Sequence, residues 1–408
     1  MQEPHFTRER SEALMRAAGL DALAVFQPES VAYVSGVNPA PAGLFRRAGA
    51  ASALVPADPA LPLAAVLPDL SEGAAKRGAC VSEIRFHPIW VDTARALAHD
   101  GGTALRDALA EGAQVARPAT FDARTSFALL RDQLAERGLA RARIGIDMNF
   151  IPAADFEMLR ACLPEARLVD GSEVIARLKM VKSAQEVEWL RQALRFSEAG
   201  LAAAETLIRP GVTQGMLSRA YGEAARNAAA GESAALTGLW EYISIGPDPW
   251  GPGRAAEAGD IVKFDIGTLV SGYSSDFART VCLGKPSRAA RELHTALLGS
   301  LEAGLHMLKP GTRLADVHAR MLAAAREGGI PGYARGHFGH SLGAGTFSEE
   351  WPFIAADSEV IAEPGMVLAV EAPLYVDGLG GFIIEDQVLV TETGIEVMSR
   401  GDRSLRVF

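Results

Sequence analysis

The sequence predicts two domains: an α/β N-terminal domain over residues 1–175, then an α+β C-terminal domain over residues 176–408 with an internal pseudo-twofold repeat. Three observations carry this. The first part alternates helix and strand signals. The second repeats a helix, Pro-Gly, helix pattern. Each copy is followed by strand-like segments that bear paired carboxylates.

In the first part, Arg8 to Gly19 reads as an amphipathic helix stopped by glycine. Asp21 to Phe26 (D-A-L-A-V-F) follows as a buried strand. Ser30–Ser35, Ser52–Val55 and Leu63–Leu67 are further strand candidates. Asp122–Arg137 is helical and Arg143–Ile146 begins a strand. Leu168–Arg177 passes from strand through turn to helix, and Ser183–Ile208 is a long helix of good formers. In the second part, Ser197-Glu-Ala-Gly-Leu leads to Ile208-Arg-Pro-Gly-Val-Thr. Leu301-Glu-Ala-Gly-Leu leads to Leu308-Lys-Pro-Gly-Thr-Arg. A repeated unit of this kind implies a site between two halves.

Composition narrows the function. Of 408 residues, 49% are apolar and 22% charged, as in a globular enzyme with two cores. The net charge of −10 and the absence of a Lys/Arg-rich run argue against a nucleic-acid surface. Apolar stretches such as Gly49–Leu70 are broken by Pro and Asp, so no membrane span is expected. Three scattered cysteines, Cys80, Cys162 and Cys282, fit a reducing compartment. The polar start Met1-Gln-Glu-Pro-His-Phe lacks a signal-peptide core, so a cytoplasmic location is expected.

Asp265 and Asp276 flank a predicted hairpin whose midpoint falls between Val270 and Ser271, which places them across from each other. Glu371 and Glu385 flank a second hairpin centred on Gly378. Either pair alone reads as two acids on a wet face. Their apolar neighbours (Phe264, Ile266, Val370, Ala372, Ile383, Ile384) and their recurrence in both copies favour a cation between them. Asp386 alternates to the opposite face. His340, in Gly336-His-Phe-Gly-His-Ser-Leu-Gly, would add a nitrogen donor. Asp265, Asp276, His340, Glu371 and Glu385 thus suit two divalent metal ions, manganese first, with cobalt or zinc also compatible. Such a pair activates water for attack on a carbonyl. His337 is a proton shuttle, a substrate contact, or a solvent-facing loop residue. His294, His306 and His318 fall on predicted helices and read as structural. No G-x-S-x-G, P-loop or Rossmann fingerprint is present.

These segments resemble the creatinase/aminopeptidase P/prolidase family, whose C-terminal domain has the pita-bread fold. Asp265 and Asp276 match the D-x-G…S-D-x-x-R-T element, His340 the ligand histidine, Glu371 the E-P-G-x-Y glutamate and Glu385 the R-I-E-D glutamate. The resemblance implies a homodimer and points to cleavage of Xaa-Pro bonds in dipeptides or short peptides. In that reaction Glu371 is expected to act as general base while binding metal, and His337 to stabilise the tetrahedral intermediate or shuttle a proton. Asp248, Trp250 and Tyr242 are expected to line the substrate pocket. Arg46, or Arg47, would neutralise a substrate carboxylate in a partner's site, unless both are solvated surface residues. Three departures stand out. Phe347 replaces a second histidine, Ile383 replaces the arginine of R-I-E-D, and the Gly246–Arg254 loop is shortened. They leave open an alternative: a hydrolase or lyase acting on a small N-substituted or onium acid, as creatinase-like and ectoine-hydrolysing relatives do.

Overall fold

The structure is a computed structural model that describes residues 4–39, 41–91, 116–232, 234–251, 253–345 and 349–408. Phe347 lies outside the described residues. The chain divides into two compact units, Met1–Leu178 and Lys179–Phe408.

The first unit opens with α1 (Arg8–Ala17), capped by the Thr7 side chain, which accepts from the Arg10 N–H. Then come β1 (Ala22–Val25), α2 (Pro28–Ser35), β2 (Ser52–Pro56), β3 (Ala64–Pro68), α3 (Glu72–Gly78) and β4 (Glu83–His87). After them follow α4 (Ala123–Glu136), β5 (Arg143–Ile146), α5 (Ala153–Cys162), β6 (Arg167–Asp170) and α6 (Ser172–Met180). The six strands form one mixed sheet in the order β4-β3-β2-β1-β5-β6. Strand alternation feeds two cores. Leu23, Val25, Ala53 and Val55 pack with Met15 and Val31. Ala22, Ala24 and Leu54 pack with Phe127 and Leu159.

One expected strand is corrected. Ser30–Ser35 is helical, within α2. Pro28 sits in its first turn, where its fixed φ is already helical, and Gly36 closes it at φ 73°. Burial of Val31, Tyr33 and Val34 against the sheet outweighs their preference for strand.

The second unit begins with α7 (Ala184–Glu205), held at its start by a capping box between Ser183 and Glu186. It continues through α8 (Gln214–Ala229), β7 (Leu236–Glu241), β8 (Ser244–Ile245), β9 (Ile261–Val270), β10 (Tyr273–Ser274) and β11 (Phe277–Cys282). The second half holds α9 (Arg288–Met307), α10 (Leu314–Glu327), β12 (His337–Ser341), β13 (Glu350–Ala355), β14 (Val367–Val376), β15 (Gly380–Val390), β16 (Ile395–Val397) and β17 (Arg406–Val407). Its sheet runs β10-β9-β11-β15-β14-β12-β13, with β7 and β8 paired to β9.

The repeat is physical. Gly211 and Gly311 sit at φ 86° and 84°. The Gly211 N–H donates to Ala256 O (2.8 Å) and the Ala256 N–H returns to Val212 O (2.8 Å). The Gly311 N–H donates to Ala362 O (2.9 Å) and the Ala362 N–H to Thr312 O (2.8 Å). Each helix pair covers its own half: Leu194, Leu201 and Leu217 pack with Phe264, and Leu297, Leu301 and Val317 pack with Ile384. This is the pita-bread fold, joined to an N-terminal α/β domain.

Candidate metal centre and active site

The site is built on adjacent strands of the second sheet. Asp265 pairs with Ala278 across β9 and β11, Ala278 with Glu385 across β11 and β15, and Glu385 with Glu371 across β15 and β14. Cross-strand partners share a face, so three carboxylates lie in one row. The Glu371–Glu385 pairing is the one that hairpin symmetry predicts.

The Asp265–Asp276 pairing is corrected by two residues. The turn is Ser271–Gly272, at φ 53° and 85°. Two central residues at positive φ form the tight turn whose twist suits a hairpin, and they move the midpoint one residue on. Asp276 therefore lies diagonal to Asp265, in the unpaired step between β10 and β11. An even offset preserves the face.

Asp276, His340 and Glu385 are buried, and each offers a donor atom within 4.8 Å of the others. His340 Nε2 lies 3.5 Å from Asp276 Oδ2. Its Nδ1 is 3.1 Å from Ser341 O. A carbonyl only accepts, so Nδ1 carries the hydrogen and Nε2 presents its lone pair to the cluster. β12 reaches this position through a close approach at Gly339, where φ is 133° and a Cβ would meet Ala369 O at 1.9 Å.

Glu371 Oε1 accepts from Arg335 Nη2 (2.6 Å) and lies 3.5 Å from His337 Nδ1. Arg335 Nε also donates to His337 O (2.7 Å), which ties the three together. The Gly339 N–H reaches His337 Nδ1 (3.3 Å), which leaves Nε2 of the neutral ring carrying its hydrogen. Burial lowers the His337 pKa and favours that neutral form.

Crowded carboxylates raise one another. Burial pushes the Asp265 carboxyl up to about 7, against the pull of Lys263 and with the push of Glu371. Burial, then Asp276, Glu371 and Asp265, raise Glu385 well above the usual carboxylate range. Ionised together, these groups need positive charge among them. Four carboxylates and one imidazole are the donor chemistry of a divalent pair, so the residues present fit the metal.

From the opposite face, Arg279 donates to Glu385 O (2.6 Å) and Asp386 Oδ1 (2.8 Å), and Arg403 Nε to Asp386 Oδ2 (2.5 Å). Asp386 is thus a structural anion beneath the site.

The expected substrate residues are placed as follows. The Asp248 carboxylate accepts from the N–H groups of Trp250 and Gly251 (both 2.9 Å), so it shapes its loop. Trp250 is exposed and stacks on Tyr375, with ring centroids 4.0 Å apart. Exposed Tyr242 follows β7, and its N–H donates to Asp265 O (2.7 Å). Arg46 pairs with Glu29 (2.8 Å), and Arg47 forks onto buried Asp155 within the first unit. Sequence reasoning missed Lys263, Arg335 and Tyr375. Lys263 carried a signal: it is a lone cation two residues before Asp265 in an apolar strand. Arg335 and Tyr375 come close only through sheet register.

A pita-bread sheet gathering carboxylates and a histidine in one cluster defines a class of metal-dependent hydrolase. Residues 188–392, half of the chain, match metallopeptidase family M24, and residues 8–181 match the creatinase/prolidase N-terminal domain. The chain belongs to metallopeptidase family M24 and is a metal-dependent peptidase. It is 29% identical over 240 residues to an Xaa-Pro dipeptidase of Pyrococcus furiosus, covering 57% of this chain and 67% of that one. The structure of an Xaa-Pro dipeptidase from Bacillus anthracis superposes with a TM-score of 0.77 at 21% identity, over 98% of this chain and 99% of that one. That of dipeptidase PepE from Mycobacterium ulcerans gives a TM-score of 0.73 at 25% identity, over 98% and 96%. Among the described residues no helix is long and apolar enough to cross a membrane.

Proposed function

We propose that this protein is a dinuclear-metal Xaa-Pro dipeptidase or aminopeptidase in which Asp265, Asp276, His340, Glu371 and Glu385 hold two divalent ions, manganese first. The convergence of buried Asp276, His340 and Glu385 carries the reading. The ions, when bound, supply Lewis-acid activation of water and of the scissile carbonyl.

The chain's own residues do the rest. Glu371 takes the proton of the attacking water, with Arg335 fixing its carboxylate. The neutral His337 ring donates from Nε2 to the oxygen that gains charge as the carbonyl becomes tetrahedral. Glu371 then passes its proton to the departing imino nitrogen. The Trp250 and Tyr375 rings offer an apolar face to a pyrrolidine ring. The Xaa-Pro dipeptidases among its relatives support this substrate class. A cytoplasmic homodimer completes the proposal.

Buried Ile383 supports a second reading, a small N-substituted or onium acid as substrate, because it sets an apolar side chain where the family motif has arginine. A metal-by-substrate matrix separates the two. Metal-stripped enzyme is reloaded with Mn²⁺, Co²⁺ or Zn²⁺ and given Xaa-Pro dipeptides, longer Xaa-Pro peptides, non-proline controls and creatine-type acids. Turnover of Xaa-Pro substrates with Mn²⁺ is expected. Glu385→Ala is expected to lose bound metal and to lower kcat by about three orders of magnitude or more. Full activity in metal-free Glu385→Ala enzyme would end this mechanism.

A further inference from the structure

Lys263 lies on β9, two residues before Asp265 and on the same face. It pairs with Thr280, whose hydroxyl accepts from the Ile383 N–H (2.8 Å) and donates to Ile383 O (2.9 Å). Lys263, Thr280 and Ile383 therefore form the row next to Asp265, Ala278 and Glu385. A cation on β9 stands level with the apolar Ile383 on β15.

Lys263 is only 3% exposed, yet its ammonium makes no hydrogen bond among the described residues. Its neighbours are Asp265 Oδ2 at 3.8 Å and the faces of Tyr375 and Trp250 at 5.3 and 6.0 Å. An ammonium has three donors, and here a single carboxylate at 3.8 Å faces them, so the group has donors to offer an incoming anion. Rings contribute to holding the charge but accept little. Gly381 lets the Lys263 stem pack closely against β15, since a Cβ there would meet Lys263 Cδ at 3.1 Å. Trp250 is 71% exposed, so the ring pair beside Lys263 reaches the surface.

We propose that Lys263 anchors the substrate by an anion: its ammonium pairs with the free carboxylate of the substrate's C-terminal residue, beside the stacked Trp250 and Tyr375 rings. This rests on the Xaa-Pro reading and narrows it to dipeptides. A dipeptide's carboxylate lies one residue, roughly 3.5 Å, beyond the scissile carbonyl. Lys263 stands that close to the candidate ligand Asp265. A longer peptide presents a neutral amide at the same point.

The test compares Ala-Pro with Ala-Pro-amide on Mn²⁺-loaded wild type, Lys263→Met and Lys263→Arg. Calorimetry of L-proline against L-prolinamide reads binding without turnover. Wild type is expected to favour the acid over the amide by about ten- to hundredfold in kcat/KM, mostly through KM. In Lys263→Met that ratio collapses towards one, and Lys263→Arg restores part of it. Proline binding weakens in the same order. A ratio equal in wild type and Lys263→Met, with metal content intact, overturns the anchor and leaves the peptidase reading standing. Lys263-dependent proline binding with no turnover of any Xaa-Pro substrate upholds the anchor and sinks that reading.

Discussion

Asp386 and Glu385 are neighbours with opposite tasks. Strand alternation sends Glu385 into the carboxylate cluster and Asp386 to the far face, where Arg279 and Arg403 hold it. The Arg279 guanidinium also donates to Glu385 O, Ala278 O and Gly401 O, and it stacks on the Phe277 ring at 4.3 Å. Arg279 and Asp386 are both fully buried, so each depends on its partner. Removing one partner of a buried pair leaves a charge without compensation. Asp386→Ala is accordingly expected to destabilise the protein by about 3–5 kcal/mol. A denaturant titration checks this. A loss below about 1 kcal/mol, the scale of a surface ion pair, would show that the pair is not the clamp described.

At the scale of elements, hairpin geometry decides which acids meet. Glu371 and Glu385 were legible because their loop is symmetric about Gly378, and the ladder pairs them directly. Asp265 and Asp276 were misplaced by two residues because turn chemistry set the register: Ser271 joins Gly272 at positive φ, which spacing alone does not reveal. Ser30–Ser35 looked like a strand because its β-branched residues outvoted Pro28 and Gly36. Arg335 was illegible as a neighbour of Glu371 because 36 residues separate them and only sheet pairing closes the gap. β12 shows how narrow such tolerances are. Gly339 lets the strand approach β14, with the Cβ position 1.9 Å from Ala369 O, and His340 follows immediately. Gly339→Ala forces the strands apart or strains a left-handed backbone, so a loss of about 2 kcal/mol or more is expected. Bound metal should fall with it. Thermal melts and metal analysis by mass spectrometry check both, and a variant with full metal content would show that His340 tolerates displacement.

At the scale of the molecule, the cluster joins the two halves of the repeat. Asp265 and Asp276 come from the half covered by α7 and α8, and His340, Glu371 and Glu385 from the half covered by α9 and α10. Burial and mutual repulsion raise the Asp265 and Glu385 carboxyls. Without a cation, the halves meet through groups that either repel or must hold protons. An ion binding only the folded cluster stabilises it by mass action, about 2.7 kcal/mol at a hundred times its Kd. For a unit the size of Lys179–Phe408, that corresponds to roughly 5–10 °C in apparent Tm. Manganese titrated into chelator-stripped protein should therefore raise Tm with concentration, and chelator should reverse the shift. The Glu385→Ala variant separates site binding from general ionic effects. It should start near or above the Tm of stripped wild type, because one repelling group is gone, and should gain little on adding metal. A shift of equal size in that variant would place the stabilising ion elsewhere, and the carboxylate row would then be a stability liability rather than a metal site.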